Sequence, residues 1–258
     1  LNKAIFHKGS ASAITTDLRY KPAIHFSGVD YSIDGTTILK GVTGSFPDGK
    51  ITTLAGPSGA GKTTLLKLCN GLISPTSGDI YIHGRHIHEY EPVDLRRMVG
   101  IALQNAPMVK GSVYRNLSLP LELAGKKLSE DDAASFLEDV GLDESFLHRD
   151  SKDLSGGQKQ KVSIARTLVN RPRILLLDEI TASLDQTSCR EIEQLIVKIN
   201  QRYNVTMVWI THNLDQARTI GHYTWVMIEG EVAETGESSL LESPKTDEVR
   251  RFVKGGFA

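Results

Sequence analysis

The segment Gly56-Pro57-Ser58-Gly59-Ala60-Gly61-Lys62-Thr63 places two glycines, a lysine and a hydroxyl at the spacing G-x-x-x-x-G-K-[ST]. Glycines there let backbone N–H groups close around phosphate oxygens, and a helix starting at Gly61 would add the positive end of its dipole. Lys62 is then placed to reach the β- and γ-phosphates of a nucleoside triphosphate, and Thr63 to set its hydroxyl on Mg²⁺. A second cluster, Ile174-Leu175-Leu176-Leu177-Asp178-Glu179, is an apolar run that ends in two carboxylates. Ligands of open α/β sheets bind beyond the carboxyl ends of strands. Asp178 is therefore placed to hold Mg²⁺ through its water shell, and Glu179 to accept a proton from an attacking water. A third segment, Leu154-Ser155-Gly156-Gly157-Gln158, precedes a helical pattern from Lys159 to Val169. Its serine and bare backbone amides suit an anion at a helix start.

Positioning these groups requires strands that alternate with helices. Residues 24–33 and 51–55 read as strands, a helix is expected from Gly61 to about Leu72, and 79–83 reads as a strand with turns at Ser77-Gly78 and His83-Gly84. Residues 107–153 hold no convincing strand. A helix begins near Leu128, capped by Ser129, with Glu130, Asp131 and Asp132 suiting its dipole and Phe136, Leu137 and Val140 at helical spacing. Alternation resumes with strands at 174–178 and 205–210, separated by a helix from about 188 to 203. Such alternation implies a parallel sheet. The architecture expected is an α/β core with an inserted helical subdomain at about 105–165 and a small antiparallel sheet from the N-terminal strands.

A chain of 258 residues with 40% hydrophobic and 24% charged residues can bury a full core. Thirty basic residues against 31 acidic ones argue against a dedicated nucleic-acid binder. Cys69 and Cys189 stand far apart with no C-x-x-C spacing, which reads as two reduced thiols of a cytosolic protein. No run approaches 18 apolar residues, so no membrane-spanning segment is expected. Residues 1–20 lack a signal-peptide core and read as a poorly structured extension or remnant, with one domain over 21–258. His83, His86 and His88 read as solvated histidines of a strand end and turn rather than as a metal site.

With L-S-G-G-Q at 154–158 in sequence order with the phosphate loop and the acidic strand end, residues 23–240 resemble the ABC ATPase superfamily. The resemblance implies a P-loop NTPase fold, ATP and Mg²⁺ as ligands, and ATP hydrolysis. It implies a nucleotide site made of Gly56 to Thr63 with Thr64, and closed by Ser155 and Gly157 of a second copy in a head-to-tail homodimer that forms on ATP binding. Four residues carry over singly. Tyr31 is similar to the aromatic that stacks on adenine, and Gln104 to the glutamine that senses the γ-phosphate, metal and membrane partner. Asp185 in Ser183-Leu184-Asp185 resembles the loop that crosses the dimer interface, and His212 the switch histidine near the γ-phosphate. Catalytic roles thus fall to Glu179, His212, Lys62 and Gln104. Ile180 stands where proline is usual and Lys161 where arginine is usual; neither removes a reacting group.

The branch follows from length. Leu154 lies 50 residues after Gln104 without sustained heptads, one phosphate loop is present, and only a short tail follows Gly236. These features speak against coiled-coil DNA-repair relatives, tandem translation factors and sugar importers with a regulatory domain. The segment Pro107-Met108-Val109-Lys110-Gly111-Ser112-Val113-Tyr114-Arg115-Asn116-Leu117, with Leu177 to Thr181, resembles bacterial iron exporter and plant aluminium-tolerance ATPases. This implies a cassette on the inner face of the cell membrane, powering a separate integral membrane subunit. A phosphate-type importer ATPase and a soluble cassette of the iron–sulfur assembly kind remain alternatives, as does a non-hydrolysing regulatory cassette, against which Glu179 and His212 argue.

Overall fold

The computed structural model of the chain describes residues 20–255. The extension read over 1–20 lies outside the described residues except for Tyr20, whose ring stands edge-on to Tyr223 at 5.4 Å.

The chain opens with β1 (Pro22–Ile33) and β2 (Thr36–Pro47), antiparallel neighbours joined by Asp34-Gly35. Both linker residues have positive φ, 49° and 76°, the conformation that matches the twist of a two-residue hairpin and favours Asp-Gly. Strand β3 (Ile51–Ala55) follows, then α1 (Lys62–Cys69), β4 (Ser77–Ile82) and β5 (Arg85–His86). After α2 (Pro92–Met98) and β6 (Val99–Ala102) come the inserted helices α3 (Val113–Glu122) and α4 (Glu130–Asp139), leading to α5 (Gly156–Leu168). The rest is β7 (Ile174–Asp178), α6 (Gln186–Tyr203), β8 (Thr206–Ile210), α7 (Leu214–Ile220), β9 (Tyr223–Ile228), β10 (Glu231–Glu237) and α8 (Asp247–Val253).

Four strands form an antiparallel sheet in the order β2-β1-β4-β5, and six form a second in the order β10-β9-β3-β8-β7-β6. The second is parallel except for its β10 edge. The expected α/β architecture with its small antiparallel sheet and helical insertion is therefore present.

Several boundaries differ from expectation. The first helix stops at Cys69 rather than about Leu72, because Asn70-Gly71 breaks it; Gly71 has φ 66° and Leu72 N–H turns back to Lys67 O at 3.0 Å. The glycines of Leu154-Ser155-Gly156-Gly157-Gln158 form the first turn of α5 instead of preceding it. Strand β2 and the β9–β10 hairpin add to the strands expected; Asp34-Gly35 and Glu229-Gly230 are two-residue links of the same positive-φ kind. The helix expected after Ser129 is capped as anticipated, with Asp132 N–H donating to Ser129 Oγ at 3.0 Å.

Two apolar layers flank the parallel sheet. On one side Phe26, Phe46 and Trp225 pack edge-on and tilted, Phe46 and Trp225 with ring centroids 4.6 Å apart. On the other, Ile192, Leu195, Ile196 and Ile199 give α6 a buried stripe at helical spacing against Leu175, Leu177 and Trp209. Strand β7 is sealed on both faces, so Leu176→Ala would leave a cavity. Its expected cost is about 2–5 kcal/mol, read as a lower denaturant midpoint with an unchanged slope; a loss under about 0.5 kcal/mol would contradict this packing.

Candidate active site

The chemistry-bearing residues converge because the parallel register aligns the carboxyl ends of β3, β7 and β8. Ile210 is the register partner of Asp178. One residue beyond β7 stands Glu179, its N–H donating to Ile210 O at 3.2 Å, and two beyond β8 stands His212. Glu179 Oε1 and His212 Nε2 lie 2.6 Å apart. Glu179 adopts φ 49°, a left-handed conformation uncommon for a residue with a Cβ, and such strain concentrates at functional sites.

The loop after β3 is shaped by glycine. Gly56 has φ 145°, and a Cβ there would stand 2.0 Å from Met227 O on β9. Gly61, at φ 91°, sits against Leu39, where a Cβ would approach Cδ2 to 2.6 Å. Helix α1 starts its ladder with Leu65 N–H to Gly61 O at 2.9 Å. The amides of Lys62, Thr63 and Thr64 therefore lie in the turn whose N–H groups lack intrahelical partners. Lys62 Nζ donates to Gly56 O and Pro57 O, each at 2.8 Å. An ammonium has three protons, so one remains for an anion. Burial pushes the Lys62 ammonium below its usual range, against the opposing pull of Glu179 and Asp178.

Thr63 Oγ1 donates to Asp178 Oδ1 at 3.1 Å. Burial raises the Asp178 carboxyl, with the Thr63 hydrogen bond opposing it. A partly desolvated carboxylate beside a hydroxyl is the oxygen-donor pair that a hard cation such as Mg²⁺ takes, so these residues fit the metal. Ser58 through Thr64, Glu179 and His212 line one cavity of about 320 Å³ together with Ile38. Ile38 went unread, because only the fold of β2 over the loop brings it there. Also unread was Gln216, which accepts from Thr211 Oγ1 at 2.6 Å and donates to Glu193 Oε1 at 2.8 Å. Its amide also reaches Thr181 Oγ1 at 3.3 Å, tying the segment after Glu179 to the segment before His212.

The other expected residues do not line this cavity. Tyr31 is half-buried on β1 as the cross-strand partner of Leu39, the residue against which Gly61 packs. Gln104 is exposed two residues beyond β6, at the same sheet end as Asp178. Ser155 and Gly157 sit at the start of α5, where Ser155 and Gln158 form a capping box. A Cβ on Gly157 would stand 2.9 Å from Ser188 Oγ, so this glycine also serves the packing of α5 on α6. Asp185 caps α6, accepting from Thr187 N–H, Ser188 N–H and Ser188 Oγ. Of the three histidines, His83 Nδ1 is 4.0 Å from Asp48, while His86 meets Asp79 at 3.1 Å and stands beside His88 with ring centroids 5.1 Å apart. Among the described residues no group of three or more His, Cys, Asp or Glu side chains is arranged for a metal.

The profile of the ABC transporter family matches residues 39–182. Among curated relatives, YjkB of Bacillus subtilis is 42% identical, over 91% of this chain and 95% of its own length. ABC transporter I family member 17 of Arabidopsis thaliana is 36% identical, covering 86% and 84%. Methionine import ATP-binding protein MetN 2 of Enterococcus faecalis is 39% identical over 84% of this chain and 65% of its own. Among solved structures, cbiO1 of Clostridium perfringens, part of the cbiONQ transporter complex, superposes with TM-score 0.79 at 31% identity, over 87% of this chain and 92% of that one. The dimeric cassette MJ0796 in a post-hydrolysis state with ADP and Pi gives TM-score 0.72 at 30% identity, over 83% and 98%.

Proposed function

The chain belongs to the ABC transporter family as an ATP-binding, ATP-hydrolysing subunit, and we propose that its reaction centre is the cavity lined by Lys62, Thr63, Glu179 and His212, with Asp178 bonded to Thr63 beside it. The observation that carries this assignment is the 2.6 Å Glu179–His212 contact opposite the phosphate loop. The free amides of Lys62, Thr63 and Thr64 and the third proton of Lys62 bind the β- and γ-phosphates. Thr63 and Asp178, with Gln104 from the neighbouring strand end, would hold Mg²⁺, which would offset phosphate charge. Glu179 takes the proton of a water aligned on the γ-phosphorus as its oxygen forms the new P–O bond and the bond to the ADP oxygen breaks. His212 fixes the Glu179 carboxylate.

Tyr31 stacks on adenine beside the loop. Ser155 and Gly157 act on the nucleotide of a second copy, and the Asp185 carboxylate, already engaged as a cap, shapes the loop between them. Tyr31→Ala is expected to weaken ATP by about tenfold and to leave inorganic triphosphate within about twofold, since stacking is worth about 1–1.5 kcal/mol. Equal weakening of both ligands in equilibrium dialysis would remove the stacking role.

Among the described residues no helix is long and apolar enough to cross a membrane. The reading is a peripheral cassette on the cytoplasmic face, driving a separate membrane subunit. Metal export, with iron as the leading cargo, is supported by the resemblance over Pro107 to Leu117. In the structure this segment is held by Asn116, which accepts from Val109 N–H at 2.8 Å and donates to Val109 O at 2.9 Å. The methionine-import relative favours an importer instead. Vesicles carrying the chain with its membrane subunit separate the two: ATP-driven iron movement out of the cytoplasmic side supports export, and methionine or phosphate uptake overturns it.

A further inference from the structure

We propose that a cavity of about 870 Å³, far from the phosphate loop, is a second ligand site for a small organic anion with an apolar body, a carboxylate or phosphate on an aromatic or aliphatic frame. Three parts of the fold build it. Lys21, Asp48 and His83 stand just outside β1, β2 and β4 at the edge of the antiparallel sheet; Asp132, Phe136 and Asp139 come from α4; the segments entering β7 and β8 contribute Arg171, Arg173 and Tyr203. Its volume falls within the roughly 300–1,000 Å³ of small-molecule sites.

The charges favour an anion. Each carboxylate in the wall already has a partner: Asp48 accepts from Thr206 Oγ1 at 3.0 Å, Asp132 from Ser129 Oγ at 2.6 Å, and Asp139 from Arg202 and Tyr203. Lys21, Arg171 and Arg173 make no side-chain hydrogen bond or ion pair among the described residues, although all three line the cavity. Burial pushes the His83 imidazole below its usual range; Asp48 opposes this while Arg173 and Lys21 add to it. The wall therefore presents three cationic donors without a side-chain partner among the described residues. A planar guanidinium is suited to carboxylate and phosphate. His83 Nε2 is also buried without a partner among the described residues, an unmet polar demand in the same wall.

The frame is rigid and partly apolar. Arg173 N–H donates to Met98 O at 2.9 Å, and Arg173 O accepts from Thr206 N–H at 3.0 Å, so the backbone between the arginines is anchored to the sheet. Phe136 and Tyr203 supply the aromatic surface, with Leu168, Pro172 and Val205 beside them. An occupant touches the helical insertion and both sheets together.

The test uses the full chain with saturating Mg²⁺ and a non-hydrolysable ATP analogue, which occupies the phosphate loop. Titration calorimetry compares 1-naphthyl phosphate, 1-naphthoate, inorganic phosphate and 1-naphthol. One naphthyl anion is expected to bind saturably, one per chain, at least about tenfold tighter than inorganic phosphate or 1-naphthol, because only it makes both charge-assisted bonds and apolar contact. The tighter of the two anions identifies phosphate or carboxylate as the natural head group. Arg171→Gln with Arg173→Gln is expected to weaken it at least about tenfold. Should circular dichroism show that pair unfolded, Lys21→Gln is expected to weaken it about threefold or more. Absence of saturable binding, loss of binding on adding the analogue, equal affinity for inorganic phosphate, or wild-type affinity in the folded variants would each overturn the proposal.

Discussion

Glu179→Gln is expected to bind ATP with near-wild-type affinity while hydrolysing it at least about 100-fold more slowly, the usual scale for a positioned acid–base group. The glutamine amide has the size of the carboxylate and can still hydrogen-bond to His212 across the 2.6 Å contact. The left-handed backbone at residue 179 and its bond to Ile210 O are untouched. What disappears is the basic oxygen that takes the proton from water. Lys62, Thr63 and Asp178 are unaltered, so nucleotide affinity measured by equilibrium dialysis stays the same. Phosphate release at near-wild-type rate would move the base elsewhere and sink the assignment. If Glu179 acted only by supporting His212, Glu179→Gln, which keeps that support, would stay fast and only His212→Ala would be slow.

A mixture of two inactive proteins should regain activity. Lys62→Ala removes a cation from one phosphate loop, and Ser155→Arg sets a large charged side chain at the start of α5. Neither Ser155 nor Gly157 lines the cavity that holds Lys62, so within one chain they do not complete the nucleotide site. In a two-fold pair each loop faces the partner's α5. A mixed dimer then has one site with both halves intact and one with both lesions. Random mixing makes half the dimers mixed, each with one working site of two, so about a quarter of wild-type ATPase activity is expected if sites act independently. Dimerisation is checked separately with Glu179→Gln, in which ATP persists and shifts the population toward the closed pair. Light scattering that finds only monomer at saturating ATP, with and without a membrane subunit, would overturn the two-fold arrangement whatever the mixture does.

Local chemistry was legible where neighbours in sequence act together. The glycines and lysine of the phosphate loop, the carboxylates closing β7 and the capping serine at 129 each depend on groups within a few residues. Strand–helix alternation likewise placed β3, β7 and β8 with α1, α4 and α6, though not β9 of the same sheet. Some local signals were present but passed over, such as Asp34-Gly35 and Glu229-Gly230 as hairpin turns and Asn70-Gly71 as a helix stop.

Other features had no local signal. Glu179 and His212 are 33 residues apart and meet only because β7 and β8 are parallel neighbours in register. Ile38 reaches the phosphate cavity through the packing of one sheet on another, and Gln216 becomes a buried link through three separate segments. Gly157 reads as bare backbone for an anion, yet its lack of a Cβ is also demanded by Ser188 on the next helix. Lys21, Arg171 and Arg173 of the large cavity gather where two sheets and an inserted helix meet. A sequence determines hydrogen-bonding capacity, turn conformation and periodicity because these are properties of adjacent residues. Which distant groups face one another was decided by sheet register and by burial of the two apolar layers, which are properties of the folded chain as a whole.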